Sequence, residues 1–153
     1  MEEPSNHRAA LGRLVIGASR SWRRVIDREL APMGLSEAVA LPLLTLLRSR
    51  TPLRQCDIAR ALHLERPALV RIMDLLVKSG LVQRQPDPRD KRSRKLALTA
   101  RGRRQALGAD HAVKRVREAL LMDVNNEDLQ RTLQTLGKVE LRLHEMVRDG
   151  GMK

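Results

Sequence analysis

Residues 53–102 read LRQCDIARALHLERPALVRIMDLLVKSGLVQRQPDPRDKRSRKLALTARG. The spacing of apolar residues changes part-way through this stretch, and that change decides the fold. Thr51-Pro52 opens a short helix, with Pro near its first position, and Leu53, Ile58, Ala59 and Leu62 form its apolar face. A tight connection, His63-Leu64-Glu65, follows. A second helix runs from Arg66 to Lys78, with Leu69, Ile72, Met73, Leu76 and Val77 on one side and Gly80 as the C-cap candidate. The period then shortens. Leu81, Val82 and Arg84, and later Arg94, Leu96 and Leu98, predict two short strands with partial alternation. Between them, QPDPRDKRS over 85–93 is a Pro/Asp-rich turn expected to continue neither strand. Thr99 can cap the next helix.

Outward from this stretch the chain is helical. From Arg8 to Leu30 the apolar residues Leu11, Leu14, Val15, Ala18, Trp22, Val25, Ile26 and Leu30 recur at three- and four-residue steps, ended by Pro32 and Gly34. Ser36 is the expected N-cap of a short helix to about Arg48, which Pro42 should kink or shorten. The helix after Thr99 is expected to reach about Val124. Asn126 is the expected cap of a last helix carrying Glu127 and Asp128 in its first turn and Leu129, Leu133, Leu136, Val139, Leu143, Met146 and Val147 along one stripe.

The expected fold is therefore mainly α, a winged helix-turn-helix flanked by long helices. Residues 1–7 are expected as a flexible arm, 8–148 as a single unit, and 149–153 as a tail. Within the unit, 51–99 is the winged helix and 100–125 the connecting helix. Helices 8–34 and 126–148 carry apolar stripes too long for a small winged core to cover. Isologous pairing of two copies through those ends buries them, the competing arrangement being one monomeric bundle.

Composition narrows the function. The 153 residues carry 30 basic and 18 acidic groups, a net charge of +12, and 24 of the basic residues are Arg. One Trp and no Phe or Tyr argue against nucleic-acid binding by base stacking, which needs several aromatic platforms. A single Cys excludes an internal disulfide and, with no visible export signal, points to a reducing cytoplasm. No apolar run approaches the ~18 residues of a membrane span. The four His are scattered without metal-ligand spacing, and no nucleophile elbow, Walker loop or dinucleotide motif is present. The expectation is a non-enzyme with no cofactor and no metal.

A helix fits the DNA major groove, where each base pair shows a distinct donor and acceptor pattern. The second helix of the pair offers Arg66, Pro67, Ala68, Val70 and Arg71 at its outer N-terminal end. Arg66 suits a bidentate contact to guanine. Ala68 and Val70 suit thymine methyls, and Arg71 suits base or phosphate. Taken alone, 51–80 also fits an ordinary helix pair with solvated arginines. The hairpin weighs against that. Residues 84–104 hold nine basic side chains (Arg84, Arg89, Lys91, Arg92, Arg94, Lys95, Arg101, Arg103 and Arg104) against Asp87 and Asp90. That is the footprint of a phosphate-tracking element, and an Arg at its tip can enter a narrow minor groove. The alternative function is a nucleoid-type architectural protein that binds by phosphates and shape, with neither ligand nor operator.

The same stretch resembles the DNA-binding lobe of the multiple-antibiotic-resistance regulator (MarR) family. DPRDKRSRKLALTARG resembles the family's D-x-R-x-x-x-L-x-L-T-x-x-G signature at Asp90, Arg92, Leu96, Leu98, Thr99 and Gly102. The helix order extends the resemblance from about residue 8 to 148. It implies a homodimeric bacterial transcription factor acting on a pseudo-palindromic operator in double-stranded DNA, nucleoid-associated in the cytoplasm and often a repressor. It implies Arg92 as the minor-groove residue, Asp90 orienting the wing through ion pairs, and relief by small aromatic or phenolic molecules. Trp22 is then either a ligand-pocket residue or a core anchor. Some relatives sense oxidants through a first-helix Cys, which has no match here; Cys56 is expected as a small buried residue. Pro67 and Ala68 stand where many members carry Ser or Thr, which shifts base recognition toward Arg66 and Arg71.

Overall fold

The computed structural model describes residues 4–49 and 51–148, and for residues 4, 5, 91 and 92 the backbone alone. The elements are α1 (Pro4–Leu30), a 3-10 turn (Ala31–Met33), α2 (Glu37–Arg48), β1 (Leu53–Arg54), α3 (Gln55–Leu62), α4 (Arg66–Lys78), β2 (Val82–Asp87), β3 (Asp90–Leu98), α5 (Ala100–Leu120) and α6 (Asn126–Arg148). The chain divides after Val116 into two compact units. The division falls inside the helix expected to connect parts of one unit. Residues 1–3 of the expected arm and the whole expected tail, 149–153, lie outside the described residues. Residues 4–7, also assigned to that arm, are the first turn of α1.

In the first unit Leu30, Leu43, Ile58, Leu69, Met73, Leu76 and Leu96 are fully buried, drawing α1, α2, α3, α4 and β3 onto one core. Trp22 packs half-buried against that cluster. The expected α1 stripe is buried only at its end: Ile26 and Leu30 are covered, whereas Leu11, Leu14 and Val15 are exposed. α2 runs its full expected length across the buried Pro42, which does not shorten it. Ser36 holds the N-cap position without a side-chain cap bond. The capping carboxylate is instead Asp27 of α1, whose Oδ1 accepts the Glu37 N–H at 2.6 Å. A cap supplied from ten residues away along the chain leaves no local signal beside the helix.

The turn between α3 and α4 closes with His63 in the left-handed region at φ 50°. The Leu64 N–H reaches the Ala59 carbonyl and the His63 N–H that of Arg60, the paired bonds of a Schellman end. The same pair ends α4, where Gly80 takes φ 70° and Leu81 N–H bonds Leu76 O.

Two boundaries differ from the sequence expectation. Thr51-Pro52 does not open α3. Leu53 and Arg54 form a third strand against Leu96 and Lys95, and the helix starts at Gln55. The expected nine-residue hairpin turn contracts to Pro88-Arg89, because β2 continues through Pro86 and Asp87 and β3 begins at Asp90. The sheet order is β1-β3-β2. Pro86 is tolerated because β2 is an edge strand, where a missing N–H need not break a ladder. A bulge at Pro86/Asp87 then turns the chain.

At the foot of the hairpin the Thr99 hydroxyl donates to the Gly80 carbonyl at 2.7 Å and accepts the Gly102 N–H at 2.9 Å. It thereby caps α5 while bonding the end of α4. Gly102 passes so close to Leu81 that an added Cβ would lie 1.8 Å from its carbonyl oxygen. Beyond it, Ala106, Ala109 and Ala112 keep the buried face of α5 small.

In the second unit Asn125, not Asn126, caps α6: its Oδ1 accepts the Asp128 N–H at 2.9 Å. No residue of α6 is buried, and Leu133, Val139, Leu143 and Val147 are exposed. No single helix among the described residues is long and apolar enough to cross a membrane.

Gly102→Ala is expected to destabilise the protein by about 1–3 kcal/mol through overpacking against the Leu81 carbonyl. Urea denaturation checks this; an unchanged midpoint removes the close approach as a constraint.

Candidate nucleic-acid interface

The buried side of α4 carries Leu69, Met73 and Leu76, so the opposite side of its first turns faces outward. Arg66, Pro67, Ala68, Val70 and Arg71 are all exposed. Pro67 sits in the first turn, where its missing N–H costs no helical bond. Beside this end a concavity of about 380 Å³ is lined by Gln55, Cys56, Ala59, Arg66, Leu69 and Val70. Gln55 and Cys56 therefore share a surface with Arg66. Neither is legible as an interface residue in the sequence, where Gln55 falls inside the expected helix rather than at its start. Cys56 is exposed, contrary to its expected burial. The apolar face of α3 is set by Ile58 and Ala59, and Cys56, two residues before Ile58, lies off that face.

A second concavity, about 470 Å³, lies between α3, β1 and the hairpin tip. Its lining includes Arg54, Cys56, Arg60, Arg89 and Lys95. Cys56 borders both concavities, so Arg66 of α4 and Arg89 of the hairpin tip line adjoining hollows of one surface. Arg89 and Arg94 are exposed. Lys91 and Arg92 follow Asp90 along the backbone of β3, and their side chains lie outside the described residues.

Not every basic residue of the hairpin points outward unengaged. Arg84 ion-pairs with Asp74 of α4. Lys95 turns toward Asp87, with its Nζ 3.6 Å from Oδ1. Arg101 donates to the Ser79 carbonyl at 3.3 Å, close to the end of α4.

Asp87, counted in the sequence only as opposing charge, is buried, and its side chain is wholly shielded from solvent. Its Oδ1 accepts the Arg89 N–H at 3.0 Å, an Asx turn that shapes the hairpin tip. Its Oδ2 takes the Arg54 guanidinium, Nε at 2.8 Å and Nη2 at 2.7 Å. The Arg89 N–H and then Arg54 and Lys95 hold the Asp87 carboxyl below the usual carboxylate range, against the opposing effect of burial. Asp87 correspondingly raises Arg54. Asp90, the expected wing-orienting residue, stands across from Asp87 where the hairpin closes.

These elements form a winged helix-turn-helix. The MarR family model matches residues 38–93. The transcriptional regulator PA3341 is 30% identical, covering 88% of this chain and 98% of its own, with a TM-score of 0.79. The chain belongs to the MarR family. The apo form of wild-type MarR from E. coli is 25% identical over 84% of this chain and 96% of its own, with a TM-score of 0.68. MepR from S. aureus, solved as a DNA complex, shares the fold: TM-score 0.78 over 88% of this chain and 96% of its own, at 21% identity. As a MarR-family member the protein is a transcriptional regulator and not an enzyme.

Cys56 is the single thiol and borders the surface shared by Arg66 and Arg89, so a bulky maleimide adduct there is expected to weaken duplex binding severalfold. Duplex should in turn slow the labelling. Equal labelling rates with and without DNA would place Cys56 away from the contact surface.

Proposed function

We propose that this MarR-family regulator binds a pseudo-palindromic operator as a homodimer and acts as a repressor. In this reading α4 enters the major groove and the β2–β3 hairpin tracks the flanking backbone and minor groove. The observation that carries it is the exposed N-terminal end of α4, with Arg66 and Arg71, where the concavity at Arg66 adjoins, at Cys56, a second one that reaches the hairpin tip at Arg89. Arg66 is assigned to guanine, and Ala68 and Val70 to thymine methyls. Arg89, Lys91 and Arg94 are assigned to the backbone, Arg92 to the minor groove, and Asp90 to orientation of the wing, while Arg84 and Lys95, expected as DNA contacts, are engaged by Asp74 and Asp87. That MepR, which shares the fold, was solved as a DNA complex supports DNA as the partner.

Dimerisation is supported by exposed Leu11, Leu14 and Val15 on α1 and by the unburied stripe of α6. Two lobes then meet half-sites about one helical turn, roughly 10 base pairs, apart. Relief by a small aromatic or phenolic molecule rests on the family resemblance. The packing of Trp22 against the core favours its role as an anchor over that of a pocket wall.

Footprinting on a genomic library tests the reading: a short inverted repeat is expected, whereas uniform coverage favours the architectural alternative. Arg66→Ala is expected to cost about 1–3 kcal/mol on the recovered site and to relax preference at one base position. An equal loss on every sequence would make Arg66 a phosphate contact. With about 6–10 phosphate contacts per dimer, affinity is expected to drop ~10³–10⁵-fold between roughly 50 and 200 mM salt, measured by fluorescence anisotropy.

A further inference from the structure

Asp87 is the one buried polar or charged residue among the described residues. It ends β2 at the tip of a hairpin that carries Arg84, Arg89, Lys91, Arg92, Arg94 and Lys95. For an element that meets a polyanion, a carboxylate there is adverse on charge alone. Its contacts give another reason for its presence. Three parts of the first unit converge on its two oxygens: the guanidinium of Arg54 from β1, at the start of α3; the ammonium of Lys95 from β3; and the N–H of Arg89 from the hairpin tip. Arg54 is 33 residues away in sequence. Only two residues of β1 pair with β3. The Arg54–Asp87 contact extends that short ladder toward the tip and ties the helix-turn-helix to the distal end of the hairpin.

We propose that Asp87 is a positioning residue for DNA binding: by bridging Arg54, Lys95 and the Arg89 N–H, it fixes the hairpin tip relative to the start of α3, so that α4 and the tip meet one duplex in a set register. The proposal rests on the reading that the hairpin touches DNA. Without the bridge, Arg54, Lys95 and Arg89 line a shared concavity with Arg60 and a single remaining carboxylate, Asp57, which is already paired with Arg60, and mutual repulsion splays the tip away from α3. The rigid tip then becomes a mobile one, whose ordering must be supplied on binding.

Charge and positioning predict opposite signs. Asp87→Asn raises the net charge by one and keeps an oxygen for the Arg89 N–H. If only charge matters, duplex affinity rises. If Asp87 positions the tip, affinity falls, by about tenfold or more. Arg54→Lys leaves net charge unchanged but loses the two-nitrogen contact to Oδ2; positioning predicts severalfold weaker binding and charge alone predicts none. The double variant Asp87→Asn/Arg54→Gln restores the native net charge. Positioning predicts binding no tighter than Asp87→Asn alone, and charge predicts recovery to the native value.

The experiment uses the full chain. Anisotropy on a duplex selected by the native protein from a random library, and on mixed-sequence duplex, is run well below each variant's melting temperature. Hydrogen exchange supplies a local readout: amides around 85–90 are expected to exchange faster in Asp87→Asn while those of 69–76 in α4 stay protected. Should Asp87→Asn fail to fold, the charge-neutral Arg54→Lys carries the test. Tighter or unchanged binding by Asp87→Asn, or unchanged binding by Arg54→Lys, overturns the proposal. Arg92→Ala separates the two levels: if it weakens binding while the Asp87 and Arg54 variants do not, only the positioning role fails. If it leaves affinity unchanged, the hairpin does not touch DNA and both readings fall.

Discussion

The close passage of Gly102 beside the Leu81 carbonyl is the constraint around which the first unit is arranged. At that point the end of α4, the start of β2, the end of β3 and the first turn of α5 come together. Leu81 N–H satisfies the end of α4, and the Leu81 carbonyl accepts the Thr99 N–H at 3.0 Å. The Thr99 hydroxyl in turn caps α5 through Gly102. A side chain at 102 would push α5 off this junction, and the hairpin would lose its foothold on the helix that presents Arg66. The small residues that follow on α5 continue the same close approach. Three positions of the family-like signature, Leu98, Thr99 and Gly102, therefore belong to the foot of the wing and follow from packing and hydrogen bonding rather than from contact with DNA.

A net charge of +12 describes the protein poorly until the cations are sorted by what each one touches. Arg54 and Lys95 are turned to Asp87, Arg84 to Asp74, and Arg48 to Asp110 of α5. Arg23 pairs with Glu37 across the α1–α2 corner. These contacts hold elements together. Arg66, Arg71, Arg89 and Arg94 remain at the surface of α4 and the hairpin. Total charge sets the general attraction to a polyanion and its salt dependence. The division between internal and outward cations gives that attraction a shape. The exposed pairs contribute little individually to stability, whereas the pair at the shielded Asp87 carboxylate is held in place on both of its oxygens.

The absence of Phe and Tyr has a structural counterpart. The core is filled by Leu, Ile, Val, Met and Ala, with the single Trp at its margin, so close packing depends on many small helix contacts. Both ends of the chain leave apolar residues in water, Leu14 at 68% and Val147 at 81% exposure. Stripes of that kind on helices of 27 and 23 residues mark surfaces that gain from being covered.

Much of this was legible in the residues. The bounds of α4, the helix order, the hairpin, the Thr99 cap and the outward set from Arg66 to Arg71 follow from local periodicity, capping chemistry and short-range spacing, all of which act over a few residues. What only the tertiary structure decided involves partners distant along the chain. A two-residue strand shows no alternation, so β1 emerges only through its pairing with Leu96 and Lys95. Asp27 caps α2 from another helix. The stretch at 85–87, with Pro86 inside it, remains β because its strand is an edge and needs no N–H there. Asp87, one acidic residue in a basic run, becomes a buried hub only when Arg54, 33 residues earlier, is folded against it. Sequence determines which long segments coil, because those preferences are local, whereas the short strand β1 and the distal end of β2 take their state from pairing. Which charges face each other and which face outward depends on contacts that exist only once the chain has closed on itself.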